Sequence, residues 1–153
     1  YLVEYSSDSG ANWTTVVRAA STLPSATVTG LTNGTGYLFR VSAINSVGTG
    51  SAATAASAVT PRTVPGTPTA VVGSFGNQQV GLTWTAPASN GGAAITDYDI
   101  RYSSDNGTIW TNVTRAASAA TSATVGGLTN GTAYIFQVRA KNVAGTKIGR
   151  AHV

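Results

Sequence analysis

The chain has 153 residues, with no cysteine or methionine, and sets nine lysines and arginines against five aspartates and glutamates. No disulfide or cysteine metal site can form, and no apolar run approaches the roughly 20 residues of a membrane span. The formal charge of +4 falls to seven minus five, or +2, without Lys147 and Arg150, so the pI of 9.8 reflects sparse charge and not a nucleic-acid-binding surface.

Taken in order, the chain predicts short strands between turns. Residues 1–5 (YLVEY) alternate apolar and polar, as a half-buried strand does. Ser6 to Gly10 is a turn in which Asp8 can cap the backbone and Gly10 accepts positive φ. Trp13 opens a short strand, and Ala26-Thr27-Val28 reads as another. Leu31-Thr32-Asn33-Gly34 is a turn. After it, Tyr37, Phe39, Val41 and Ala43 recur at period two. Ser46 to Gly50 turns the chain into a strand expected within Ala52–Thr60. Thr60 to Pro68 holds three prolines in nine residues and is expected to be an extended, stiff junction.

Beyond the junction, strands are predicted at about Thr69–Val72 and at Val80–Trp84, with Pro68 tolerated at a sheet edge because it has no N–H to donate. Asn90-Gly91-Gly92 is a loop. Tyr98, Ile100 and Tyr102 alternate, and Ser103 to Gly107 is a turn before Trp110. Ala123-Thr124-Val125 is a strand, and Asn130-Gly131 is a turn pair. Tyr134, Phe136, Val138 and Ala140 then face inward, and Ile135, Gln137, Arg139 and Lys141 outward.

The second series repeats the first. Shifted by 97 positions without a gap, residues 1–49 match residues 98–146 at 30 of 49 sites. The chain therefore reads as two units and not as the single domain its length would allow. Tyr1 aligns with Tyr98, so the first unit has no counterpart of Thr69–Trp84, and its lead-in is expected to be missing from the sequence. One of its two sheets should be nearly absent.

L-x5-Y followed by an alternating strand resembles the tyrosine corner of immunoglobulin-like sandwiches. The run L-T-N-G-T-x-Y-x-F-x-V-x-A-x-N, ending in a glycine turn, resembles strand F of fibronectin type III domains. It is most similar to the Thr/Gly/Ala-rich form found in tandem on bacterial secreted and surface proteins. Trp84-x-x-Pro87 resembles the tryptophan of strand B and the proline after it. The resemblance covers residues 1 to about 146. It implies an all-β, immunoglobulin-like antiparallel sandwich with one nearly complete repeat and one N-terminally truncated repeat. Residues 1–61 would hold strands C to G, and 62–146 a repeat lacking most of strand G. The implied core is Trp84, Tyr98, Ile100, Tyr102, Leu128, Tyr134, Phe136 and Val138. Residues 147–153 leave the pattern. Ile148-Gly149-Arg150-Ala151-His152-Val153 looks like one reading frame of a sequencing adapter, so the tail is expected to be non-native and to add no motif.

Residues able to do chemistry are few. His152 is the only histidine and lies in that tail. Gly48-Thr49-Gly50 half-matches a dinucleotide loop but lacks the following helix and acidic residue, so a turn is expected. Asp97 and Asp99 share a strand face, too few for a calcium site; with Asp8 and Asp105 they read as solvent-facing charges. Sequons begin at Asn12, Asn33, Asn106, Asn112 and Asn130, which a Thr-rich composition produces unaided. Neither glycine turn after strand F carries Arg-Gly-Asp.

No catalytic residue, cofactor or metal is expected. Arg101, Arg139 and Lys141 share the outer face of strands C and F, where they could meet an anionic partner. The family resemblance implies a structural spacer of an extracellular or cell-surface protein, whose partners are neighbouring repeats of its own chain. Its alternatives are a polysaccharide- or protein-binding module, or an accessory spacer of a secreted glycoside hydrolase.

Overall fold

The computed structural model describes residues 1–146, so the expected tail at 147–153 lies outside the described residues. The chain divides into one unit at Tyr1–Pro61 and a second that begins at Arg62. No helix occurs among the described residues, and every strand pair is antiparallel.

The second unit is a two-sheet sandwich. Its strands are β5 (Thr69–Gly76), β6 (Gln79–Thr85), β7 (Asp97–Ser103), β8 (Thr111–Asn112), β9 (Ser122–Gly126), β10 (Ile135–Asn142) and β11 (Gly145–Thr146). One sheet runs β11-β10-β7-β8 and the other β5-β6-β9. Alternation sends Leu82, Trp84 and Val125 inward from the second sheet. Tyr98, Ile100, Phe136, Val138 and Ala140 meet them from the first, with Leu128 closing the corner. Tyr102 and Tyr134 are half-buried against this cluster. Trp84 sits edge-to-face on Tyr98 at 5.1 Å, a favoured aromatic geometry. The Tyr134 hydroxyl accepts a hydrogen bond from Thr129 N at 3.1 Å, tying β10 to the turn before it.

Strand β5 extends four residues beyond the expected Val72 end. Gly73, Ser74 and Gly76 have low intrinsic strand preference, but pairing with β6 supplies the ladder. A bulge between Thr69 and Val72 puts Ala70 at φ 49, and the two-residue turn Asn77-Gln78 closes the hairpin with Gln78 at φ 54.

The first unit has β1 (Leu2–Ser6), β2 (Thr14–Thr15), β3 (Leu38–Ser42) and β4 (Ala53–Thr54) in one sheet, ordered β2-β1-β3-β4. Tyr37 makes the same corner, accepting from Thr32 N at 3.1 Å. The expected strand at Ala26–Val28 is not formed. Its counterpart β9 pairs with β6, and the first unit has no strand in that position to supply hydrogen bonds. The apolar side of the sheet is correspondingly open. Val41 is 39% exposed where its counterpart Val138 is 0%. A groove of about 680 Å³ lies against Val3, Phe39 and Val41, bounded by Leu23, Val28 and Leu31.

Candidate interaction surface

The register of β7 and β10 builds the outer face. Asp97 lies opposite Lys141, Asp99 opposite Arg139, and Arg101 opposite Gln137. The three cations proposed for an anionic partner therefore share one face, but two of them are already engaged. Arg101 donates from Nε to Gln137 Oε1 at 2.8 Å, and its guanidinium lies 4.7 Å from the centre of the Trp110 ring. Arg139 is half-buried, with Nη2 3.9 Å from Asp99 Oδ2. Lys141 is exposed.

Two expectations for this face are corrected. Alternation places Gln137 toward solvent, yet it is only 1% exposed. Arg101, its cross-strand neighbour, donates to it while its guanidinium lies over the Trp110 ring. Asp97 is not a free surface charge. Its Oδ1 accepts from Arg115 Nη2 at 2.8 Å and from the amides of Ser118 at 3.0 Å and Tyr98 at 2.8 Å. Arg115 also donates to the Tyr98 carbonyl. The pair fastens the long connection between β8 and β9 to β7. Asp99 accepts from Thr146 Oγ1 at 3.0 Å, bracing β11.

The first unit reaches the same arrangement from the opposite strand. Its arginine is Arg40 on β3, aligned with Gln137, and its partner is Glu4 on β1, aligned with Arg101. Arg40 binds Glu4 through both carboxylate oxygens, at 2.6 and 3.0 Å, a bidentate geometry. The Arg40 guanidinium lies 4.3 Å from the centre of the Trp13 ring. Glu4 and Arg40 become Arg101 and Gln137 together, so the guanidinium covers the indole in both units. At this cross-strand pair the outward residues that differ between the repeats compensate each other. The signal available in the sequence was this paired exchange at two positions 36 residues apart, legible only once strand register is known.

The turn aspartates Asp8 and Asp105 are exposed, as solvent-facing charges are, and each also caps its turn. Asp8 accepts from Ser6 Oγ at 2.7 Å, Asn12 N at 2.9 Å and Asn12 Nδ2 at 2.7 Å. These bonds, the Asn12 amide foremost, hold its carboxyl near a pKa of about 2 against an ordinary 3.8. Asp105 repeats the cap with Ile109 N at 2.9 Å and Ser103 Oγ at 2.6 Å, which also lower its pKa. A depressed carboxyl stabilises the fold above its unfolded pKa and loses that contribution as pH falls through the folded value. We expect the Asp8 carboxyl carbon and the Asn12 amide to titrate together near pH 2 by NMR. A shared midpoint near 3.8 would show that the cap does not form.

All five carboxylates of the sequence thus accept hydrogen bonds from their own chain. Among the described residues no three acidic, histidine or cysteine side chains converge as a metal site would require. Gly48, the half-match to a nucleotide loop, lies in a hairpin turn where Asn45 N donates to its carbonyl at 3.0 Å. Of the sequon asparagines, Asn12 is bound to Asp8, and Asn130 receives Gln78 N at 2.8 Å and donates to Asn77 at 2.8 Å. His152 lies outside the described residues.

The family model described as fibronectin type III domain matches residues 1–60 and 66–151. The chain belongs to the fibronectin type III family. The second match runs past the point where the sequence leaves the repeat pattern. Endoglucanase B of Cellulomonas fimi is 38% identical over 142 residues, covering 86% of this chain and 13% of that protein. Chitinase A1 of Niallia circulans is 38% identical over 150 residues, covering 92% of this chain and 19% of that protein. The chain thus spans less than a fifth of the length of either. Among solved structures, domains A168–A170 of titin align over 98% of this chain and 51% of theirs, at 25% identity and a TM-score of 0.63.

Proposed function

We propose that the chain is a non-catalytic spacer of a bacterial extracellular or cell-surface protein, with neighbouring repeats of the same chain as its partners. The observation that carries this reading is the internal use of its polar chemistry. Every carboxylate is an acceptor within its own unit, and a guanidinium covers the outward indole of each unit. A general acid or base needs a pKa near the working pH; hydrogen bonds from the chain lower those of Glu4, Asp8 and Asp105, which makes them poor proton donors and weak bases. A sugar-binding platform needs an open aromatic face, and arginine occupies that place over Trp13 and Trp110.

A second reading is favoured by the relatives. Those named endoglucanase and chitinase are enzymes of polysaccharides, and the matched region is a small part of each. On that reading the chain is an accessory spacer of such an enzyme, whose catalysis lies in other parts of the protein. Both readings predict no binding by the repeat itself. The test is a glycan array and a matrix-protein screen with the isolated chain, expected blank. A saturable ligand lost in Lys141→Ala or Arg139→Ala would move the protein to the binding-module class.

A further inference from the structure

The segment after Arg62 is no free linker. Thr63 N donates to Gly91 O at 2.8 Å, and Gly66 N to Ser89 O at 2.8 Å. Pro65 and Pro68 are fully buried, so these prolines act as packed pieces of the second unit and not as an exposed rod. Gly91, at φ +73, comes so close that a Cβ there would lie 2.1 Å from the Thr63 carbonyl oxygen. Asn142, at the end of β10, completes the attachment. It is 2% exposed, and its Nδ2 donates to Thr63 O and to Asn90 O, both at 2.8 Å. Its Oδ1 accepts from Ala144 N at 2.8 Å. Both amide hydrogens and the carbonyl are used, which makes a short, polar side chain a specific tie. On the other side of Arg62, Gly34 N donates to Pro61 O at 2.9 Å within the first unit.

The aligned residue of the first unit is instructive. Asn45 caps its own turn, accepting from Val47 N at 2.9 Å and Gly48 N at 3.1 Å, but it is exposed. Turn capping alone therefore does not require burial. What buries Asn142 is the incoming segment and the loop at Ser89–Gly91.

The structure assigns to Asn142 the role of a junction clamp: its carboxamide ties Thr63 to the loop at Asn90 within the second unit, beside the Gly66–Ser89 bond, while Gly34 holds Pro61 within the first. The clamp deepens the spacer reading by naming what holds the entry segment on the second unit, and it rests on that reading only for its purpose. A ligand found in the binding screen would remove the spacer reading and leave the clamp intact.

The test uses the whole chain. Arg62 is itself a trypsin site, and a protease needs several extended residues on both sides of the bond it cuts. Asn142→Ala is expected to raise both cleavage at Arg62 and amide exchange at Thr63 and Gly66 by about tenfold or more, through local opening. Amides in the β7–β10 ladder should keep their protection. Gly91→Ala strains the same attachment from its other side and should give the same selective pattern. If Thr63 and Gly66 stay protected in both variants, the clamp is wrong. If both variants speed the β7–β10 amides as much as the segment, Asn142 supports the whole sandwich and holds no local junction, which also overturns it.

Discussion

Trp84→Ala is expected to destabilise the second unit by about 3–5 kcal/mol. Its ring is 6% exposed and meets Tyr98 edge-to-face at 5.1 Å, with Leu82 and Val125 on the same sheet face. Burying a tryptophan removes roughly 150–250 Å² from water, worth about 4–6 kcal/mol as an upper bound at ~25 cal/mol/Å². Truncation loses most of that and leaves a cavity between two sheets that cannot close. Such a loss is a large share of the stability of a domain this size. Trp84→Phe should cost clearly less, because Trp84 Nε1 is buried without an acceptor among the described residues and its removal leaves no partner unpaired. Denaturant melts of the three proteins decide the matter; a loss below about 1 kcal/mol for the alanine variant would mean the ring is not the core anchor.

Residues 1–60 alone are expected to show no cooperative melt. The first unit has one sheet where the second has two, and nothing in it replaces β5, β6 or β9. Tyr5 and Tyr37 still stack at 5.7 Å, and Val3 is buried. Yet Val41, Ile44 and Val59 are exposed, and the groove beside Phe39 stays open. A single sheet with one solvated apolar face buries too little surface to offset the entropy of ordering it, and it invites association. Calorimetry of the isolated fragment should show a broad, concentration-dependent transition. A sharp two-state unfolding as a monomer would contradict this.

The repeat, the turns and the inward residues of β6, β7 and β10 were legible in the sequence because each rests on local spacing. Period two marks Tyr98, Ile100, Phe136 and Val138, and Asn-Gly marks the corner before Tyr134. What was not legible depends on which strand lies beside which. Ala26-Thr27-Val28 and Ala123-Thr124-Val125 are identical, yet only the second is a strand, because only it has β6 for a neighbour. Asp97 reads as a surface charge until the β8–β9 connection brings Arg115 against it. The arginine–tryptophan contact, exchanged between strands from one unit to the other, shows in neither repeat alone. Pro65 and Pro68 suggest a stiff linker by composition, but their burial against the second unit comes from Gly66, Gly91 and Asn142.

The candidate surface was legible as a set of residues and not as a state. Arg101, Arg139 and Lys141 do share a face, and register alone explains it. That Gln137 and Trp110 already engage Arg101, and that Asp99 faces Arg139, required the cross-strand partners.

Spacing, as opposed to binding or catalysis, is tested most directly by small-angle scattering on chains of one, two and four complete repeats, each joining residues 62–146 to a closing strand patterned on residues 50–60. A positional spacer predicts a maximum dimension that grows by a constant increment with each repeat and a cross-section that does not change. A compact particle, whose maximum dimension barely grows as repeats are added, would contradict it.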